Sequence, residues 1–244
     1  SPKKVLIRAR GPSLAAAPFN VPGTLSDPFL TLYSGATPID SNDDFALHAN
    51  AAQIPADWIP ANAKEAAIVT TLNPGAYTAI VNGVGGTSGV AIVELFEMDH
   101  PETPLINIAT RGPVYTGDNV MIAGLIIQGD APKTVLITAR GPSMAGPPHN
   151  VPGTLANPTL SLYSGQTVIA SNDNWIDAAN ATQIQTAIGA PGNTLESAIL
   201  VTLQPGAYTA IVSGAGGGTG LAIVEVFAPV SYTHLRAHET DSYL

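Results

Sequence analysis

Two short stretches crowd oxygen-bearing side chains directly after a strand-like run: Ser41-Asn42-Asp43-Asp44 and Ser171-Asn172-Asp173-Asn174. Ca²⁺ takes roughly six to eight oxygen ligands, and carboxylates and amides packed into one loop can supply several of them. Glu65 and Glu196 stand at matching positions further along and could complete each shell. The candidate metal ligands are therefore Asn42, Asp43, Asp44 and Glu65 in the first stretch and Asn172, Asp173, Asn174 and Glu196 in the second. The same residues suit a plain Asx turn and helix cap, in which side-chain oxygens accept from nearby backbone N–H groups. The spacing is not that of an EF-hand, and neutral Asn174 in place of Asp44 predicts weaker binding in the second stretch. Ca²⁺ is the only cofactor suggested.

Other chemistries find less support. Arg10, Arg111 and Arg140 close apolar runs, and Glu94 and Glu225 lie inside them. A charge so placed is normally paired, so each arginine is expected to fasten a loop or meet a strand glutamate, with ligand recognition by the guanidinium as the alternative. The glycine-rich segments 83–89 and 214–220 have a strand-like run on both sides and no lysine, which makes them hairpin loops rather than phosphate loops. Ser13 and Ser143 sit in Gly-Pro-Ser, not a nucleophile elbow, and His48, His100 and His149 each lack a counterpart in the other half. With no cysteine there is no thiol nucleophile, thiolate zinc site or disulfide. No set of nucleophile, base and orienting group emerges, so the chain is read as non-enzymatic.

The elements that must position these residues are written twice. Residues 2–35 align without a gap to 132–165 and are identical at 24 of 34 positions, and 65–96 match 196–227 after one inserted residue. A period of about 130 residues is far beyond the 20–50 of a solenoid repeat, so these are tandem domains. The expected boundaries are residues 1–97, a linker at 98–104, and 105–229. The second copy is preceded by two strand-like runs within Leu105–Ala131, which have no equivalent before Pro2. Arg111-Gly112-Pro113 echoes Arg140-Gly141-Pro142, so the segment is read as part of the repeat, with the first copy shortened at its N-terminus. Residues 230–244 have no counterpart and closely resemble a translated sequencing-adaptor artefact. His234, His238 and Glu239 in that tail also lack the HExxH order of a zinc helix.

Short runs rich in Val, Ile, Leu and Tyr, bounded by Gly, Pro, Asn or Asp, read as strands at 5–9, 29–33, 67–72, 77–82 and 90–96. Their partners are 135–139, 159–163, 198–203, 208–213 and 221–227. Turn signals every 8–12 residues favour an antiparallel sandwich or barrel over a βαβ fold. The alanine-rich segments 45–54 and 175–188 read as one short helix per copy, capped by Asp44 and Asn174 and plugging one end of the sandwich. Trp58 and Trp175 do not align with each other, so no shared sugar-stacking platform is evident.

The run Leu160, Leu162, Tyr163, Ser164, Gly165, Ile169, Ser171–Asn174, then Leu203, Pro205, Gly206 and Tyr208 resembles the bacterial pre-peptidase C-terminal domain. The first copy carries the same motif residues from Leu30 to Tyr77, and the resemblance as a whole covers about 75 residues of each copy. It implies a small jelly-roll-like sandwich, often calcium-binding, appended to secreted hydrolases and surface proteins. Arg-Gly-Pro-Ser and Thr-Gly-Asp-Asn-Val lie outside that pattern.

The expectation is thus an all-β chain of two tandem antiparallel β-sandwich domains, jelly-roll-like, each with one short helix. A net charge of −9 argues against nucleic acid or an anionic membrane as partner, and no apolar run reaches the roughly 18 residues of a membrane span. Ser1 opens no signal peptide, and the chain reads as soluble. Low charge and absent cysteine suit an extracellular or cell-surface bacterial protein. The expected role is a structural, adhesive or targeting module of a larger secreted protein, with neighbouring repeats or a surface polysaccharide or matrix polymer as partners. The alternative is a carbohydrate-binding module serving a hydrolase, which an exposed aromatic patch at Trp58 or Trp175 would favour.

Overall fold

Strands with apolar residues at alternate positions must turn one face of their sheet onto another element. In the computed structural model, which describes residues 1–228, this happens twice, in one unit spanning Ser1–Pro104 and a second beginning at Leu105. The tail at 230–244, with His234, His238 and Glu239, lies outside the described residues.

The first unit contains β1 (Lys3–Arg10), β2 (Pro28–Ser34), β3 (Thr37–Asn42), β4 (Ala66–Leu72), β5 (Tyr77–Gly83) and β6 (Ile92–Glu97). They form two antiparallel sheets of order β4-β1-β6 and β3-β2-β5. Val5, Ile7 and Ala9 of β1 and Ala66 and Ile68 of β4 pack against Leu30 and Leu32 of β2. On the other face of the first sheet, Leu6, Ala67 and Val69, with Phe96 beside Leu6 in the same sheet, lie under Ile54, Phe45 and Trp58. Burial on both faces explains why β1 and β4 read as unbroken apolar runs rather than alternating ones. Met98 and Asp99 stay bonded to this unit: Met98 N–H donates to the Lys4 carbonyl at 2.9 Å and Lys4 N–H to Asp99 Oδ1 at 2.8 Å.

The second unit contains β7 (Asn107–Val114), β8 (Met121–Ile127), β9 (Lys133–Arg140), β10 (Pro158–Ser164), β11 (Thr167–Asn172), β12 (Ser197–Leu203), β13 (Gly206–Gly214) and β14 (Gly220–Phe227). Strands β9–β14 repeat the plan of β1–β6. The segment before them adds a fourth strand to each sheet, giving the orders β12-β9-β14-β7 and β11-β10-β13-β8. β7 pairs with β14 and β8 with β13, so the segment is an arch straddling both sheets rather than a hairpin. Its Val114, Met121 and Ile127 belong to the core.

Of the expected helices, the second unit has a short one and the first has only 3₁₀ turns. Segment 45–54 makes single 3₁₀ turns at Phe45–Leu47 and Ala51–Gln53, and 175–188 makes one such turn at Trp175–Asp177 and a short α-helix at Ala181–Thr186. Neither Asp44 nor Asn174 caps with its side chain. Helix propagation is interrupted where His48 and Ala178 adopt extended backbone. Asn50 Nδ2 then donates to the Val69 carbonyl at 2.9 Å, and Asn180 Nδ2 to Leu200 at 3.0 Å, tying each segment to the neighbouring strand. Both segments cover the outer face of a sheet instead of plugging an end. The sequence also hid β3 and β11, largely exposed edge strands whose polar residues, and Pro38 in the first, obscure the alternation.

Gly11 and Gly141 each follow the arginine that ends the first strand of the repeat. A Cβ on either would lie 2.0 Å from a carbonyl oxygen, of Leu25 or Leu155. Gly141→Ala should therefore destabilise its unit by about 1–3 kcal/mol, as overpacking does. Denaturant unfolding reads this out, and an unmoved midpoint would refute the close contact.

Candidate cation site

Where β3 ends, Asn42 fixes the chain that follows. Its Oδ1 accepts from Ala67 N–H of β4 at 2.8 Å and its Nδ2 donates to the Asp44 carbonyl at 2.9 Å. The next two side chains, Asp43 and Asp44, meet Asp27, which immediately precedes β2. One carboxylate oxygen from each of the three lies within 4.8 Å of the others. Lys64 Nζ sits 2.7 Å from Asp27 Oδ2. Asp27 Oδ1 and Asp43 Oδ1 are buried without a hydrogen-bond partner, a state that favours a cation or a proton.

The electrostatics agree with crowding. Burial first, then the charges of Asp27 and Asp44, push the Asp43 carboxyl above the usual aspartate range, and Lys64 partly opposes this. The Lys64 ammonium is held above its ordinary value by its hydrogen bond to Asp27 and by Asp27's charge. A raised carboxyl means that the folded chain holds this proton more tightly than the unfolded chain. The contribution of Asp43 to stability is therefore greatest at low pH and falls as pH rises through the interval between the ordinary and raised values.

The second unit builds the same corner from different groups. Asn157 replaces Asp27, Asn174 replaces Asp44 and Leu195 replaces Lys64. With its amide oriented to donate, Asn157 reaches Asp173 Oδ1 at 3.2 Å and the Leu195 carbonyl at 2.8 Å. Asn174 Nδ2 donates to Asp177 Oδ2 at 3.3 Å. Asn172 staples the turn as Asn42 does, accepting from Ala198 N–H at 2.9 Å. Among the described residues the three-acid group occurs only in the first unit.

Glu65 and Glu196 point elsewhere. Both are fully buried. Glu65 Oε1 accepts from the N–H groups of Gly11 at 3.2 Å and Ser13 at 2.9 Å. Glu196 Oε1 accepts from Gly141 at 3.1 Å, Ser143 N–H at 2.9 Å and Ser143 Oγ at 2.6 Å, and its Oε2 from Asn193 N–H at 3.3 Å. These carboxylates hold the Arg-Gly-Pro-Ser loop against the sheet. Of the eight residues singled out from sequence, only Asp43 and Asp44 converge in the acidic group. Asp27 was missed because it lies far upstream, although its change to an amide in the second copy, in step with that of Asp44, was a visible signal.

The strand charges pair with one another. Arg8 Nη2 lies 2.6 Å from Glu94 Oε2, and Arg10 Nη1 lies 3.7 Å from Glu94 Oε1. In the second unit Arg140 Nε is 2.7 Å from Glu225 Oε2, and Thr138, in place of Arg8, donates to the same oxygen at 3.2 Å. Arg111 lies exposed on β7. Trp58 stacks on Phe96 with ring centroids 4.7 Å apart, and Trp175 Nε1 donates to the Asn193 carbonyl at 3.0 Å. Both indoles are half-buried.

No protein-family model matches the chain, and no curated protein sequence does. Among solved structures, it is similar to the pre-peptidase C-terminal domain of collagenase from Bacillus anthracis, at 14% identity and a TM-score of 0.31 over 50% of this chain and 89% of that one. It is also similar to the STIV MCP, at 13% identity and a TM-score of 0.28 over 97% and 91% of the two chains. At scores this low the overlays carry no weight, and the sandwich architecture rests on the strands described above.

Replacing the two kinds of carboxylate should have opposite effects. Glu196→Ala leaves buried N–H donors unpaired and should cost on the order of 1–3 kcal/mol. Asp43→Asn removes like-charge crowding, so it should raise stability at neutral pH and leave the low-pH value nearly unchanged. Unfolding midpoints across pH 3–8 in EDTA test both, and a loss of stability at neutral pH in Asp43→Asn under those conditions would contradict the crowding.

Proposed function

We propose that the chain is a non-catalytic structural module of a larger extracellular bacterial protein, whose first unit is reinforced by Ca²⁺ at Asp27, Asp43 and Asp44. The observation that supports the structural role is what the repeat retains. Glu65 and Glu196 hold equivalent loops, Arg10–Glu94 and Arg140–Glu225 pair equivalent strands, and Asn42 and Asn172 staple equivalent turns. These loop glutamates, strand ion pairs and asparagine staples, common to both copies, are engaged in the fold, as suits a spacer or anchor beside further repeats or a surface polymer. No helix among the described residues is long and apolar enough to cross a membrane. A carbohydrate-binding role is less well supported, since both indoles are packed into hydrophobic clusters rather than presented as stacking platforms.

The acidic corner fits a hard cation in its chemistry: three carboxylates, two of them with buried oxygens lacking partners. Lys64 is its competitor, because Ca²⁺ must compensate for the ammonium's contact with Asp27. Ca²⁺ at about 100 times its Kd would stabilise the first unit by about 2.7 kcal/mol. Calorimetry with Ca²⁺ or EDTA should show one transition rising with Ca²⁺. Asp27→Asn should abolish the rise, Asp173→Ala should leave it, and Lys64→Gln should enlarge it. Absence of a shift in both the parent chain and Lys64→Gln would leave Lys64 as the permanent counter-ion and remove Ca²⁺ from the proposal. Retention on an insoluble polysaccharide that is lost on Trp58→Ala would instead favour the carbohydrate reading.

A further inference from the structure

The segment that follows β6, expected from the sequence to be a linker at 98–104, is gripped by a buried lysine. Lys3 of β1 is 8% exposed. A buried ammonium must find acceptors for its three N–H donors. Lys3 Nζ donates to the Asp99 carbonyl at 3.1 Å and to the His100 carbonyl at 2.7 Å, and it lies 3.5 Å from Glu97 Oε2. Two of these three partners are backbone groups beyond the last strand of the unit. Burial of the charge is therefore coupled to the path of the chain after β6.

That path includes a conformation that its surroundings must hold. His100 has a φ of 47°, uncommon for a residue with a Cβ. Its carbonyl accepts from Thr103 N–H at 3.0 Å and Thr103 Oγ1 at 3.3 Å as well as from Lys3, which closes a turn over 100–103. His100 Nδ1 lies 3.0 Å from Glu102 Oε1. The Glu102 carboxyl is held below its ordinary range, first by a hydrogen bond from its own backbone N–H and then by His100. On the near side, Met98 N–H donates to the Lys4 carbonyl at 2.9 Å and Lys4 N–H to Asp99 Oδ1 at 2.8 Å. Thr103 is the last residue this turn engages, and Pro104 after it has no N–H to extend the bonding.

We propose that Lys3 is a latch that makes residues 98–103 a rigid extension of the first unit, and that removing its ammonium frees them. The His100 carbonyl is the point of closure, since the lysine and the turn meet on that one oxygen. The latch is independent of any cation at Asp43.

Backbone ¹⁵N relaxation of the whole chain reads the latch residue by residue. In the parent chain, Asp99, His100, Glu102 and Thr103 should have order parameters of about 0.85, the value of rigid backbone. Lys3→Met keeps the apolar stem, and it should lower those four values to below about 0.6 while β1 and β6 stay rigid. A second measurement needs no variant and decides the matter if Lys3→Met does not fold. The Lys3 ammonium of the parent chain should give a slowly exchanging ¹⁵N signal coupled through its hydrogen bonds to the Asp99 and His100 carbonyl carbons. A rapidly exchanging, uncoupled ammonium would overturn the proposal, as would values below about 0.6 at residues 99–103 of the parent chain. Rigid values kept in Lys3→Met would also overturn it, and so would loosening spread evenly through β1 and β6, because a latch releases the segment alone.

Discussion

The first strand of each repeat, β1 or β9, is buried on both faces, and the rest of each unit is organised around covering it. A strand of the form Val-Leu-Ile-x-Ala cannot leave either face in water without exposing several large apolar side chains. One face is met by the second sheet, through Leu30 and Leu32 or Leu160 and Leu162. The other is met by an irregular segment that must leave one sheet and cross to the outside of the other. That segment starts at Asn42 or Asn172, which explains why the polar corner lies there. A staple between Asn42 and Ala67 fixes the crossing, and Asp43 and Asp44 are carried into place by it.

The same framework tolerates different electrostatics. In the first unit the corner holds three acids with a lysine at its rim, while in the second it holds amides that satisfy one acid directly. The arginine cluster varies in the same way: two guanidiniums share Glu94 in the first unit, and one guanidinium with a threonine hydroxyl shares Glu225 in the second. In both places opposite charges or hydrogen-bonding groups are brought together, although the acidic corner of the first unit keeps more carboxylates than cations. The loop carboxylates Glu65 and Glu196 do not vary, because they answer backbone N–H groups whose need is independent of side-chain identity.

Completion of the sandwich is where the units part. Four strands per sheet bury the inner side of β14, and three leave the inner side of β6 partly open.

The sequence alone determined the duplication, the all-β architecture and the central strands, because repeat identity and continuous apolar runs are local signals. It also marked the Ser-Asn-Asp loops and the pairing of strand arginines with strand glutamates. Tertiary structure decided the rest. Alanine-rich segments that favour helix locally were cut to 3₁₀ turns in the first unit and to a turn plus the short helix Ala181–Thr186 in the second, since Asn50 and Asn180 bond to strands distant in sequence and the sheet's outer face sets their path. Asp27 joined the acidic corner while Glu65 turned away to a loop. Side-chain convergence depends on which strands lie side by side, and no spacing along the chain encodes that. The two runs after Leu105 were legible as strands, but only their pairing with β13 and β14 showed that they divide between two sheets.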